Sequence, residues 1–189
     1  TIEPQVYDHH LKLALFFDQQ RQYDKAEATL REALRLEPDS EQRHLALADY
    51  LAGRRNVAAS EAALAEARHA LPHAVNIQLA LGRLYEMHQQ PDKARATYQD
   101  LRDRNQSKPA GDTAKVKLAT LDWVEGKQDV ATEQLPEVLR NNPRASEALM
   151  LQGRIALQQG AGREAVQAFR TVLKDQPEHS EAYALLGQA

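Results

Sequence analysis

Leu81-Gly82-Arg83-Leu84-Tyr85, followed by Pro91-Asp92-Lys93-Ala94 and then Tyr98, reads Leu-Gly-x-x-Tyr, a turn, and Ala-x-x-x-aromatic. Neighbouring stretches copy this order at a spacing of 34 residues. A period of that length marks stacked repeats, each a supersecondary element that cannot bury its apolar face alone. The prolines supply a ruler. Pro4, Pro38 and Pro72 are 34 apart, Pro109 follows 37 later, and Pro143 and Pro177 resume the spacing of 34. The chain therefore reads as one array over 1–189, with repeats 7–40, 41–74, 75–111, 112–145 and 146–179 and a partial repeat over 180–189.

Each repeat contains two helical patterns joined by a short turn. In the first, Leu11, Leu13, Ala14 and Phe17 precede the turn, and Ala26, Leu30, Ala33 and Leu34 follow it at helical spacing. In the fifth, Leu149, Gly153 and Leu157 lead to Gly160, and Ala165, Phe169, Val172 and Leu173 come after it. Gly53, Gly126 and Gly160 fall where the first helix of a pair ends, and a left-handed residue is expected to close the helix there. Ten helices, a terminal half-repeat and no strands are expected.

These residues resemble the tetratricopeptide repeat family, whose helix–turn–helix carries Trp-x-x-Leu-Gly-x-x-Tyr, Ala-x-x-x-Phe and Pro. The third repeat is nearest, through Leu81, Gly82, Tyr85, Ala94 and Tyr98. The fifth contributes Gly153, Ala165, Phe169 and Pro177, and the final stub Tyr183, Leu186 and Gly187. The chain departs from the pattern in lacking the opening tryptophan and in placing Asp122 where an aromatic is usual. The resemblance implies an all-α fold, a right-handed α-solenoid of antiparallel helix pairs. It also implies a non-catalytic module whose concave groove is lined by the first helix of each pair.

Composition narrows the functions available. Apolar residues make up 42% and aromatics 5%, so the core is built from Leu, Val and Ala, and small residues let helix axes approach closely. A net charge of −3 leaves no basic footprint for nucleic acid. No cysteine is present, which excludes disulfides and thiolate sites. No run of 18 apolar residues exists, so no membrane insertion is expected. Gly160-Ala161-Gly162-Arg163-Glu164-Ala165 matches a dinucleotide-binding pattern, but a helix precedes it where that fingerprint needs a strand, so it reads as a turn. His69 and His73 are four apart with Pro72 between them, and no His-x-x-x-His lies within one helix, so no metal is expected. Neither a phosphate loop nor a nucleophile elbow is visible, so neither a cofactor nor enzymatic activity is expected.

Protein recognition remains. On the groove that the resemblance implies, the projecting residues are Asp8, Leu11, Leu15, Gln42, Leu45, Asp49, Asn76, Leu79, Arg83, Met87, Val116, Thr120, Trp123, Met150, Arg154 and Leu157. Asp49, Asn76, Arg83, Met87, Val116, Thr120, Trp123, Met150 and Arg154 are the candidate contacts for a peptide or partner protein. Trp123, the one tryptophan, reads equally as a groove anchor or as packing between first helices. The carboxylate clamp of chaperone-binding relatives is absent, since Leu11 and Leu15, or Leu45 and Asp49, hold its places. The alternative function is a structural spacer or self-assembly segment of a larger bacterial secretion, polysaccharide-export or organelle-assembly machine. Bacterial cytoplasm and periplasm are both compatible.

Three features break the regularity. Three extra residues before Pro109 predict a junction longer than the others, either as most of a helical turn or as a loose loop, and make 102–111 the expected hinge. Pro136 lies inside a helical pattern and is expected to kink or shift it. Pro4 and the stub at 180–189 read as remnants of absent repeats, so the chain reads as a piece of a longer array. Leu185 and Leu186 are expected to be uncovered, and weak self-association through such ends follows.

Overall fold

The computed structural model describes residues 4–106 and 108–189, with side chains from His9 onward; Asp8 and Ser107 lie outside the described side chains. Eleven helices and no strand are found among these residues: α1 (Pro4–Gln19), α2 (Tyr23–Leu36), α3 (Glu41–Arg54), α4 (Val57–Ala70), α5 (Val75–Met87), α6 (Pro91–Arg104), α7 (Pro109–Val124), α8 (Gln128–Asn141), α9 (Ser146–Gln158), α10 (Gly162–Asp175) and α11 (Ser180–Leu186). The fold is all-α, an α-solenoid type built of antiparallel helix pairs. Odd-numbered helices are the first members of pairs. The chain divides into two compact units, residues 1–97 and 98–189.

In the N-terminal unit α1 pairs with α2 and α3 with α4, and the second helix of each pair packs on the first helix of the next. Its core gathers Ala14, Ala26, Leu30, Leu47 and Leu51, with Leu11, Phe17 and Leu34 packed around them. The period explains this choice. Ala26, Leu30 and Ala33 share one face of α2, while Glu27–Arg31 and Glu32–Arg35 ion pairs occupy the rest of it. Successive first helices are also clasped by polar side chains. Arg54 of α3 grips Asp18 of α1 with two bonds of 2.7 and 2.6 Å, and Glu41 of α3 accepts from the Asn76 backbone N–H of α5 at 2.9 Å.

A polar cluster ties α4 to α5 and the start of α6. Glu61 accepts from Lys93 Nζ at 3.0 Å and from the Tyr85 hydroxyl at 2.9 Å, and the Lys93 ammonium lies 5.0 Å from the Tyr85 ring centroid. The Lys93 and Tyr85 hydrogen bonds hold the Glu61 carboxyl below the ordinary value of 4.5. Burial, and then the Glu61 carboxylate, push the Tyr85 phenol from 10.0 up to about 12. With the folded value raised, the unfolded chain releases its proton first. The stability that Tyr85 contributes is therefore complete below pH 10 and lost as pH rises through about 12. Glu61 acts in the opposite sense: its contribution is present above 4.5 and lost as pH falls through its depressed value. Thermal unfolding between about pH 9 and about pH 12 is expected to show an alkaline loss that Tyr85→Phe flattens; an unchanged slope in the variant would remove the phenol from the account.

In the C-terminal unit α7 pairs with α8 and α9 with α10, and α11 packs on α10. One cluster joins Val116, Ala119, Ala131, Leu135, Val138, Ala148, Leu151 and Ile155; another joins Leu149, Met150, Ala156, Ala165, Phe169, Val172 and Ala182. Leu185 and Leu186 are half-buried against the second cluster, so they are covered rather than left facing water, and Tyr183 is the large apolar residue of α11 that is exposed.

Where spacing alone was ambiguous, the helices resolve it. The fourth pair begins at Pro109, inside the range 75–111 that the proline ruler allots to the third. The connection between α6 and α7 spans 105–108, the same length as 37–40, 71–74, 142–145 and 176–179. The three extra residues therefore lengthen α7 at its start and leave the connection unchanged. Pro109 is the first residue of α7, where a missing N–H is no loss. The lengthened turn needs a glycine: a Cβ on buried Gly111 would fall 2.2 Å from the Asn105 carbonyl oxygen. Gly126 and Gly160 are left-handed, with φ of 80° and 73°, but Gly53 is not; α3 runs past it to Arg54, and Arg21 and Gln89 adopt positive φ in the other turns.

α8 continues through Pro136 as one helix. The ring still removes the N–H that would serve the Thr132 carbonyl. Pro136 is exposed, so replacing it removes no core contact. Pro136→Ala is expected to stabilise the C-terminal unit by about 1–2 kcal/mol, part of the roughly 3 kcal/mol that an interior proline costs a helix. Urea denaturation measures it, and a loss of stability would show that the ring is needed where it stands.

Candidate functional site

The first-helix face differs between the two units. In the N-terminal unit an open cleft of about 460 Å³ lies between α1 and α3. Leu11, Ala14 and Leu15 of α1 form one side, and Ala46, Asp49, Tyr50 and Gly53 of α3 the other. Leu30 of α2 lies beneath, and the Asp18–Arg54 pair stands at one end. The size and the largely apolar lining with a few polar groups are those of a binding site for a side chain or small ligand. Leu15 is 54% exposed, one of three large apolar residues of α1, with Leu13 and Phe16, that stay open to solvent. Asp49 is exposed and makes no ion pair with any described residue. Further along, Asn76 is exposed but engaged with Glu41, Arg83 is exposed and donates only weakly to the Leu79 carbonyl at 3.4 Å, and Met87 is 77% exposed at the end of α5.

The corresponding face of the C-terminal unit is filled. Val116 and Met150 are 3% and 5% exposed, inside the two core clusters. They are corrections to the candidate contacts: they fall in the row after Leu11, Leu45 and Leu79, but both side chains are core, and Val116 reaches the surface only as part of the wall of a second cleft on α7 and α8. Thr120 is half-buried and spends its hydroxyl on the Val116 carbonyl at 2.9 Å. Trp123 is partly buried against the core cluster of α7, α8 and α9, and its Nε1 donates to Gln158 of α9 at 2.9 Å. The Arg154 guanidinium lies 5.8 Å from the Trp123 ring centroid and is itself held by Glu181 of α11. Of the two readings of Trp123, the structure favours packing between first helices. With Lys117–Glu147 at 2.9 Å, these contacts make a polar seam from α7 to α11.

A second cleft, of about 660 Å³, opens where the extra turn of α7 meets the end of α8 and the start of α9. Its acidic groups are matched within the chain, while exposed Lys108 at its edge makes no ion pair with any described residue. Asp112 accepts from Asn141 at 3.0 Å, and Lys115 bridges Asp112 and Glu137. Among the described residues no group of three or more His, Asp or Glu could hold a metal ion, and no helix is long and apolar enough to cross a membrane.

Of the cleft residues in the N-terminal unit, the repeat register brings Leu11, Leu15 and Asp49 together as expected from sequence. Ala46, Tyr50 and Arg54 are not among the groove residues expected from sequence, and Gly53 was expected only as a helix end; the only signal was negative. Gly53 stands where the later repeats carry Met87, Val124 and Gln158, so a side chain is missing at that corner.

Known proteins with the same architecture are numerous. A type IV pilus biogenesis factor, PilW, superposes with a TM-score of 0.64 at 18% identity over 99% of this chain and 89% of its own. A thermophilic tetratricopeptide protein from Thermus thermophilus, TTC0263, gives a TM-score of 0.67 at 16% identity over 96% and 97%. YrrB, described as having an unusual peptide-binding site, gives 0.55 at 17% identity over 93% and 89%. At such identities the likeness is one of fold. No curated protein matches. Residues 10–40 match the tetratricopeptide repeat and residues 51–187 the tetratricopeptide repeat-like domain, and with most of its length so matched the chain belongs to the tetratricopeptide repeat family.

Proposed function

We propose that the chain is a non-catalytic protein-interaction module that holds a peptide or a segment of a partner protein on its first-helix face, in the groove its family provides. The observation that carries this reading is the open cleft between α1 and α3, with Leu15 exposed at its edge and the Asp49 carboxylate, which pairs with no described residue, beside it. A module serving only as a spacer would be expected to close this face, as the C-terminal unit does around Met150 and Arg154. Asp49, Arg83 and Met87 remain candidate contacts, whereas Asn76, Thr120, Trp123 and Arg154 are committed to intrachain bonds. YrrB, with its peptide-binding site, is a precedent for the kind of ligand.

The test is affinity capture with the whole chain as bait, followed by reconstitution of the purified pair and titration to a Kd. A partner bound with micromolar or better affinity, and weakened about tenfold or more by Leu15→Glu, supports the reading. Recovery of the bait alone, with self-association on sedimentation, would replace it with the spacer or self-assembly role.

A further inference from the structure

Among the residues that line the void between α1 and α3, Ala14, Ala46 and Gly53 carry little or no side chain. Gly53 is the informative one. Its φ is negative and a Cβ there would meet nothing within 4 Å, so neither backbone nor packing requires glycine. The space is left open without a steric reason internal to the chain.

Charge at the mouth is unbalanced. Asp18 and Asp49 face one guanidinium, Arg54, which is already bound through two bonds to Asp18. Arg54 also lies over the Tyr23 ring, 5.4 Å from its centroid, and no ion pair joins it to Asp49. One carboxylate is left over, beside an apolar cavity.

We propose that this cleft is a side-chain pocket for a partner segment in which one large apolar residue enters between Leu15 and Gly53 and a neighbouring Lys or Arg pairs with Asp49. The inference rests on the interaction-module reading above and adds the chemistry of the segment. Apolar burial supplies most of the affinity. The carboxylate is exposed, so it acts mainly through selection: a basic neighbour is steered in and an acidic one is repelled.

A random peptide library displayed on phage and panned on the whole chain tests this. Enriched peptides are expected to share a large apolar residue with Lys or Arg within about two positions. Asp49→Lys is expected to turn that preference towards Asp and Glu. Gly53→Leu places a side chain in the void and is expected to weaken the enriched peptides by about tenfold or more. Its thermal midpoint should be unchanged or higher, because leucine is the better helix former. Peptides enriched without a basic bias, or bound equally by Gly53→Leu, would overturn the pocket and leave the interaction module standing. No enriched peptide, together with no captured partner, would remove both.

Discussion

Trp123→Ala is expected to lower the stability of the C-terminal unit by about 2–4 kcal/mol, below the full range for a buried aromatic because the ring is only partly buried. Three losses add. The indole leaves the cluster of Val116, Leu135 and Ile155 that joins α7, α8 and α9. Gln158 loses its donor, the Nε1–H at 2.9 Å. Arg154, which lies over the ring, loses a cation–π partner and part of its fixed pose toward Glu181. Trp123→Phe separates these terms: it keeps most of the packing and gives up the hydrogen bond, for about 1 kcal/mol. Urea unfolding followed by circular dichroism gives both values. A change below about 0.5 kcal/mol for the alanine variant, the range of ordinary surface substitutions, would return Trp123 to the role of a free groove anchor.

That outcome bears on what the sequence could say. The helix pairs were legible because the same apolar and small residues recur at one period, and Ala26, Ala94, Ala131 and Ala165 are all fully buried as their register predicts. Proline was legible as punctuation but not as to side. Pro38, Pro72, Pro143 and Pro177 follow a helix, whereas Pro109 begins one, and both places suit a residue without an N–H. Hence the extra residues read as either most of a helical turn or a loose loop, and the first is found, as an added turn at the start of α7 rather than a longer connection. The groove was legible as rows of residues but not as depth. Leu11, Leu79, Val116 and Met150 share one row, yet the last two are buried because exposure depends on how close the adjoining helices come. The cleft of the N-terminal unit was least legible, since several of its lining residues, Ala14, Ala46 and Gly53, offer little or no side chain to read.

Gly153→Ala tests one such close approach and is expected to cost about 3 kcal/mol, the upper part of the range for overpacking a core. A Cβ at Gly153 of α9 would lie 2.4 Å from Cε1 and 2.6 Å from Cζ of Phe169 of α10. Phe169 has no room to yield: it is fully buried among Leu149, Ala165 and Val172, so the helices must part or the ring must leave its rotamer. The helix itself argues the other way, because alanine is favoured over glycine in a helix interior by about 1 kcal/mol. The sign of the measured change therefore decides whether packing or propensity governs this position. If packing governs, Phe169→Leu in the Gly153→Ala background restores part of the loss, whereas Phe169→Leu alone destabilises. Urea unfolding of the two single variants and the double variant completes the cycle. Additive losses, or a Gly153→Ala protein as stable as the parent, would show that α9 and α10 do not depend on the missing side chain at this point.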